Sequence, residues 1–151
     1  LRVAWIGDGN NVCHSYLEAA NIFEFNLTVA VPSSYKPAPE WVEKANERVT
    51  FVDSPEEAVK GAQVITTDVW TSMGQENEIE DRLRAFSGYQ ITPALLDSAA
   101  KDVCFLHCLP AHNGEEISDN LFADSRTNSV WAQAGNRLHA QKALLEHLIK
   151  G

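Results

Sequence analysis

Four side chains of different chemistry occupy the same kind of place in this chain: each follows an apolar run or opens a helix. Asn11 comes after Trp5-Ile6 and a Gly7-Asp8-Gly9 turn. Asp68 ends the run Val64–Thr67 and leads into Ser72-Met73-Gly74. Cys108 and Leu109 lie in His107-Cys108-Leu109-Pro110, at the end of another run, and Arg137 follows Gly135-Asn136 where the last helix is expected to begin. A carboxylate at Asp68 suits an ammonium group. An arginine at a helix start opposes the macrodipole, at roughly a few tenths to 1 kcal/mol, so its placement hints at function. Each residue also has a plainer reading: glycines that let a helix pack on a strand, Asn10 or Asn11 as its cap, Ser72 capping a turn, and Cys108 as a core thiol before a strand-ending proline.

Other chemistries fit these residues less well. A dinucleotide fingerprint needs a third glycine where Val12 stands, and an acid where Val31 is followed by Pro32-Ser33. His107, Cys108 and His112 lack a fourth metal ligand at a recognisable spacing. A His107–Cys108 nucleophile pair is awkward because adjacent strand residues face opposite ways. A cis Leu109-Pro110 bond is left open.

Bringing Asn11, Asp68, Cys108 and Arg137 together takes a sheet whose strands all end on one side. Short β-branched runs at 1–6, 27–31, 49–52, 64–67 and 103–106 alternate with helical stretches at 14–23, 40–48, 55–61, 78–86 and 93–100. The last helix is expected from 137 to 149, with Leu138, Leu144, Leu145 and Leu148 on one face, and a short sixth strand at 129–131. The pattern predicts an α/β fold: a doubly wound, mainly parallel sheet of about five strands with helices on both faces, Rossmann-like. In such sheets ligands bind beyond the carboxyl ends of the strands, where strand order reverses. Four dissimilar polar groups meeting there suit a small ligand carrying both charges. The long polar stretch 68–77 breaks the rhythm, and long loops in compact domains tend to be functional.

The length of 151 residues suits one domain, 1–151, with a real core. The net charge of −9, from 12 Lys+Arg against 21 Asp+Glu, argues against nucleic-acid or anionic-membrane partners. No apolar run nears the roughly 18 residues of a membrane span. The three cysteines Cys13, Cys104 and Cys108 form no paired spacing, which favours a reducing cytoplasm. The chain opens directly on a strand with neither Met nor a basic leader, so a signal peptide is not expected and a piece of a longer protein is.

The segments Trp5-Ile6-Gly7-Asp8-Gly9-Asn10-Asn11, Asp68-Val69-Trp70-Thr71-Ser72-Met73-Gly74-Gln75-Glu76, His107-Cys108-Leu109-Pro110-Ala111-His112 and Asn136-Arg137-Leu138-His139-Ala140-Gln141-Lys142 resemble the ornithine carbamoyltransferases, in order along nearly the whole chain. The resemblance is to their carboxyl-terminal, ornithine-binding half. It implies that Asn11 and the backbone at Met73 hold the ornithine α-carboxylate, and that Asp68 and Ser72 take its α-ammonium group. Cys108 and the Leu109 carbonyl face the δ-amine and the carbamoyl group, and Arg137 polarises the carbamoyl oxygen. It further implies carbamoyl phosphate as co-substrate and no metal, nucleotide cofactor or covalent enzyme intermediate. The implied partners are an amino-terminal carbamoyl-phosphate domain, outside this chain, and copies of itself in a cytoplasmic homotrimer or a multiple of one. The Ser-Thr-Arg-Thr-Arg phosphate motif of that other half does not occur here. Asn113 and Gly135 depart from the family pattern at positions away from these contacts. Readings kept beside this one are a carbamoyltransferase for putrescine or an N-acylated ornithine, and a non-catalytic Rossmann-like binding module.

Overall fold

The computed structural model describes residues 1–45, 47–72, 74 and 76–151, with Glu76 by its backbone alone. The apolar runs form β1 (Arg2–Ile6), β2 (Asn26–Ala30), β3 (Val49–Val52), β4 (Val64–Thr67) and β5 (Cys104–His107). Among the described residues they pair in parallel in the order β3-β2-β1-β4-β5. Between and after them lie α1 (Asn11–Ile22), α2 (Pro39–Lys44), α3 (Pro55–Ala58), α4 (Ile79–Ala85), α5 (Pro93–Asp97) and α6 (Asn128–Lys150).

Both faces of the sheet are buried, as a parallel sheet requires. Strand alternation sends Val3 and Trp5 of β1 into one layer, with Leu27 and Val29 of β2 and Cys13 and Leu17 of α1. Ala4 and Ile6 point the other way, against Ile65, Leu96, Phe105 and Val130. From β1 the chain winds outward through β2 to β3, then crosses back through α3 to lay β4 on the other side of β1. Strand order therefore reverses between β1 and β4, and in a sheet of this kind the binding crevice lies beyond the carboxyl ends of those strands.

Several expected helices are shorter in the structure. Lys44 ends α2, Ala58 ends α3 and Asp97 ends α5. Ser54 caps α3 as its spacing predicts, accepting the Glu57 N–H at 3.3 Å. The expected sixth strand at 129–131 is helix instead. Val130 is buried while Ser129 is half-buried and Trp131 exposed, and Ser129 Oγ donates to the Phe105 carbonyl at 2.6 Å, so three residues alone could not tell strand from helix. The last helix therefore begins at Asn128, and Gly135-Asn136 runs through its interior as ordinary helix. Arg137 lies in mid-helix, so the macrodipole argument for it does not apply.

The glycine turn after β1 also has a different reason from the one expected. Gly9 N–H donates to the Tyr35 carbonyl at 3.0 Å, and a Cβ on Gly9 would stand 2.4 Å from Pro37 N. Its close neighbour is the segment after β2, not the helix–strand contact. Gly7, at φ +143°, holds a backbone conformation that favours glycine.

Candidate functional site

The β1–α1 turn supplies the first wall of the crevice. Asn10, not Asn11, caps α1: its Oδ1 accepts the N–H groups of Val12 and Cys13 at 3.0 and 3.1 Å. Asn11 is the next residue, in the first turn of the helix, and exposed. Beside this turn Trp5 Nε1 donates to the Asp8 carbonyl at 3.1 Å.

The second wall begins where β4 ends. Asp68 is buried, and hydrogen bonds hold its carboxylate. Asn10 Nδ2 donates to Oδ2 at 2.8 Å, while Val69 N–H at 2.9 Å and the Cys108 thiol at 3.0 Å donate to Oδ1. Residues far apart in sequence thus meet on one side chain. Ser72 is half-buried on the loop that leaves Asp68, and the Met73 expectation lies outside the described residues. That loop is tied down by Arg82 of α4, whose guanidinium bonds Asp8 Oδ2 at 2.8 Å and the Trp70 carbonyl at 2.9 Å and lies over the Tyr35 ring. Both Asp8 and Arg82 are buried. Burial pushes the Asp8 carboxyl above its ordinary value, and Arg82 opposes that rise. Sequence reasoning missed this pair; the only hint was an arginine on a short helix directly after a long polar loop.

The third wall follows β5. His107, the last residue of β5, is buried, and Cys108 just beyond it is exposed. His107 is fully enclosed, with Nδ1 accepting the Leu109 N–H at 2.9 Å and Nε2 lying 3.2 Å from Glu116 Oε1. An accepting Nδ1 leaves the proton on Nε2, so the ring is neutral and donates to Glu116. Both ring nitrogens are committed, and His107 is not placed to join Cys108 and His112 as a metal ligand. His112, Glu115 and Glu116 do bring ligand atoms within 4.8 Å, but Glu116 Oε1 already accepts hydrogen bonds from His107 Nε2 and the His112 backbone N–H. Glu116 was not expected from sequence. Leu109 has φ +58°, in the left-handed region, and its bond to Pro110 is cis.

Although Cys108 is exposed as a residue, burial of its thiol and the hydrogen bond to Asp68 push its pKa up to about 12. The group is a proton-bearing thiol at neutral pH rather than a thiolate nucleophile. Arg137 and Cys108 line a common cavity of about 650 Å³, together with Cys104, His107, Gln133 and Asn136. Gln133 fixes one edge of it by accepting the His107 N–H at 3.0 Å. The structure thus brings Asp68 and Cys108 into contact, places Arg137 on a cavity shared with Cys108, and sets Asn11 beside the Asn10 cap.

A family model described as "Aspartate/ornithine carbamoyltransferase, Asp/Orn binding domain" matches residues 1–148. The chain belongs to this family. Among carbamoyltransferases, it is 60% identical over 147 residues to "Ornithine carbamoyltransferase 1, anabolic" of Pseudomonas savastanoi pv. phaseolicola, covering 97% of this chain and 48% of that protein. It is 59% identical over 148 residues to "Ornithine carbamoyltransferase, anabolic" of Pseudomonas aeruginosa, covering 98% and 48%. Among solved structures, the anabolic ornithine carbamoyltransferase of Campylobacter jejuni superposes with a TM-score of 0.92 at 38% identity, covering 99% of this chain and 51% of that one. The ornithine carbamoyltransferase of Thermus thermophilus gives 0.85 at 44% identity, covering 98% of this chain and 48% of that one. The chain spans about half the length of the curated relatives it matches. Among the described residues no helix is long and apolar enough to cross a membrane.

Proposed function

We propose that this chain is the ornithine-binding half of a carbamoyltransferase that moves the carbamoyl group of carbamoyl phosphate to the δ-amine of ornithine, giving citrulline and phosphate. The observation that carries this reading is the meeting of Asp68 and Cys108 at 3.0 Å in the switch-point crevice. The relatives are named for the same reaction, which supports it.

In this reading Asn11 and the Met73 backbone hold the substrate carboxylate, and Asp68 with Ser72 takes the α-ammonium group. Cys108 and the Leu109 carbonyl orient the δ-amine and carbamoyl group. An alkyl ammonium near pKa 10.4 must shed its proton before it can attack, so the site either binds the neutral amine or removes that proton. The amine nitrogen forms the new C–N bond to the carbonyl carbon, and the C–O bond to phosphate breaks. The proton lost from nitrogen leaves with phosphate. Arg137 faces the oxygen on which charge develops, a contribution that often supplies several kcal/mol of barrier lowering. Cys108 stays protonated throughout and forms no covalent intermediate.

The phosphate-binding groups come from a partner domain of the same enzyme, and the working assembly is a cytoplasmic trimer or a multiple of one. Calorimetric titration of L-ornithine into the chain tests the substrate assignment. Heat with ornithine that is lost in Asp68→Asn, with none from putrescine, is the expected result. Equal binding of putrescine overturns the assignment. Assayed alone with both substrates, the chain is expected to produce no citrulline.

A further inference from the structure

We propose that Asn10 is a positioning residue: by capping α1 with one end of its amide and gripping Asp68 with the other, it holds the Asp68 carboxylate against the Cys108 thiol. The inference deepens the carbamoyltransferase reading and takes its catalytic meaning from it.

The amide orientation follows from chemistry. Oδ1 receives two backbone N–H groups, Val12 and Cys13, and a flipped amide would set its own N–H donors against both. Nδ2 must therefore be the group at 2.8 Å from Asp68 Oδ2. This bond spans the crevice where strand order reverses, joining the turn after β1 to the end of β4. The opposite oxygen, Oδ1, accepts from Val69 N–H and the Cys108 thiol. Turning the Asp68 carboxylate breaks contacts on both oxygens at once, and Asn10 supplies the only one of these contacts that comes from the β1–α1 side.

Charged and titratable groups face Cys108 from every neighbouring element: Asp68 from the end of β4, Tyr16 from α1, Glu116 from the segment after β5, and Arg137 from α6 across the shared cavity. Of these, Asp68 is the one bonded to the thiol. Loss of the Asn10 donor lets the carboxylate turn away, weakens the S–H···O bond and makes the thiol easier to ionise. The role is separable from folding because serine and threonine also cap helices but are too short to reach Asp68 as well.

The test is the pH profile of Cys108 alkylation by iodoacetamide, read by peptide mass spectrometry so that Cys13 and Cys104 are scored apart. In Asn10→Ser, helix content and melting temperature should stay close to those of the unsubstituted chain. Cys108 alkylation at pH 8.5 should rise about tenfold, with the midpoint of the profile lower by about one unit. Asn10→Thr serves if the serine variant fails to fold. Asp68→Asn shows how far the profile moves when the acceptor itself is lost. An Asn10→Ser profile that superimposes on that of the unsubstituted chain, while Asp68→Asn shifts, overturns the proposal. A shifted Asn10→Ser profile in a chain that does not bind L-ornithine supports the positioning role and counts only against the substrate reading.

Discussion

A thiol that donates to a carboxylate 3.0 Å away keeps its proton and is a weak nucleophile. The raised thiols also bear on stability. Cys108 is pushed up to about 12 and the buried Cys13 higher still, so the folded chain keeps these protons after the unfolded chain has begun to lose them. A raised acid contributes stability that is present below its ordinary value, near 9, and lost as pH climbs above it. Urea midpoints are therefore expected to fall between pH 8 and pH 11, and Cys108→Ser should make that fall shallower. The half-buried Tyr16 hydroxyl, whose pKa is also raised, acts in the same direction. At Arg137 the expected effect is kinetic. In an assembled carbamoyltransferase carrying this half, Arg137→Ala should lower kcat about 10²- to 10³-fold while ornithine binding measured by calorimetry changes little.

The strands were legible as elements because their runs are apolar and β-branched, and a parallel sheet buried on both faces permits little else. Val64–Thr67 and the switch point beside it follow from that pattern, and so does the convergence of Asp68 with Cys108. The start of α6 was not legible, because Gly135-Asn136 carries the residues of a helix stop while its backbone continues in helix. Open space surrounds the Gly135 Cβ position. Gly135→Ala is accordingly expected to stabilise the chain by about 1 kcal/mol, measured as a higher urea midpoint. Asp8 and Arg82 were invisible for another reason: they are 74 positions apart and neither is unusual alone. Their bond anchors the loop after Asp68 at its far end. Arg82 also pairs with Glu78 at 3.0 Å and keeps that partner when Asp8 is lost, so Asp8→Ala should cost about 1.5 to 3 kcal/mol, against almost nothing for an exposed pair such as Lys150–Glu146. Asn10 was legible as a cap, but its second bond, across the crevice, was not; nothing local in a sequence reports a partner on another strand.

Across the whole molecule the apolar surface is unevenly distributed. Leu138, Leu144, Leu145, Leu148 and Ile149 are all exposed on α6, while Val130 at its beginning is fully buried. Exposed apolar faces of this kind favour association, even on a chain of net charge −9. Light scattering is expected to show a mass that rises with concentration. A Leu144→Glu/Leu148→Glu chain should remain monomeric with an unchanged melting temperature, since neither side chain is part of the core.

One end of α6 is clamped to the sheet through Ser129, Val130 and Gln133, and everything beyond Arg137 extends into solvent for roughly 20 Å at 1.5 Å per residue. A continuous helix of this kind behaves as a rigid lever with its fulcrum at the cavity. Whatever grips the free arm sets the angle at which α6 carries Arg137 along the wall of the cavity it shares with Cys108, so a contact made far out along the rod is felt at that wall.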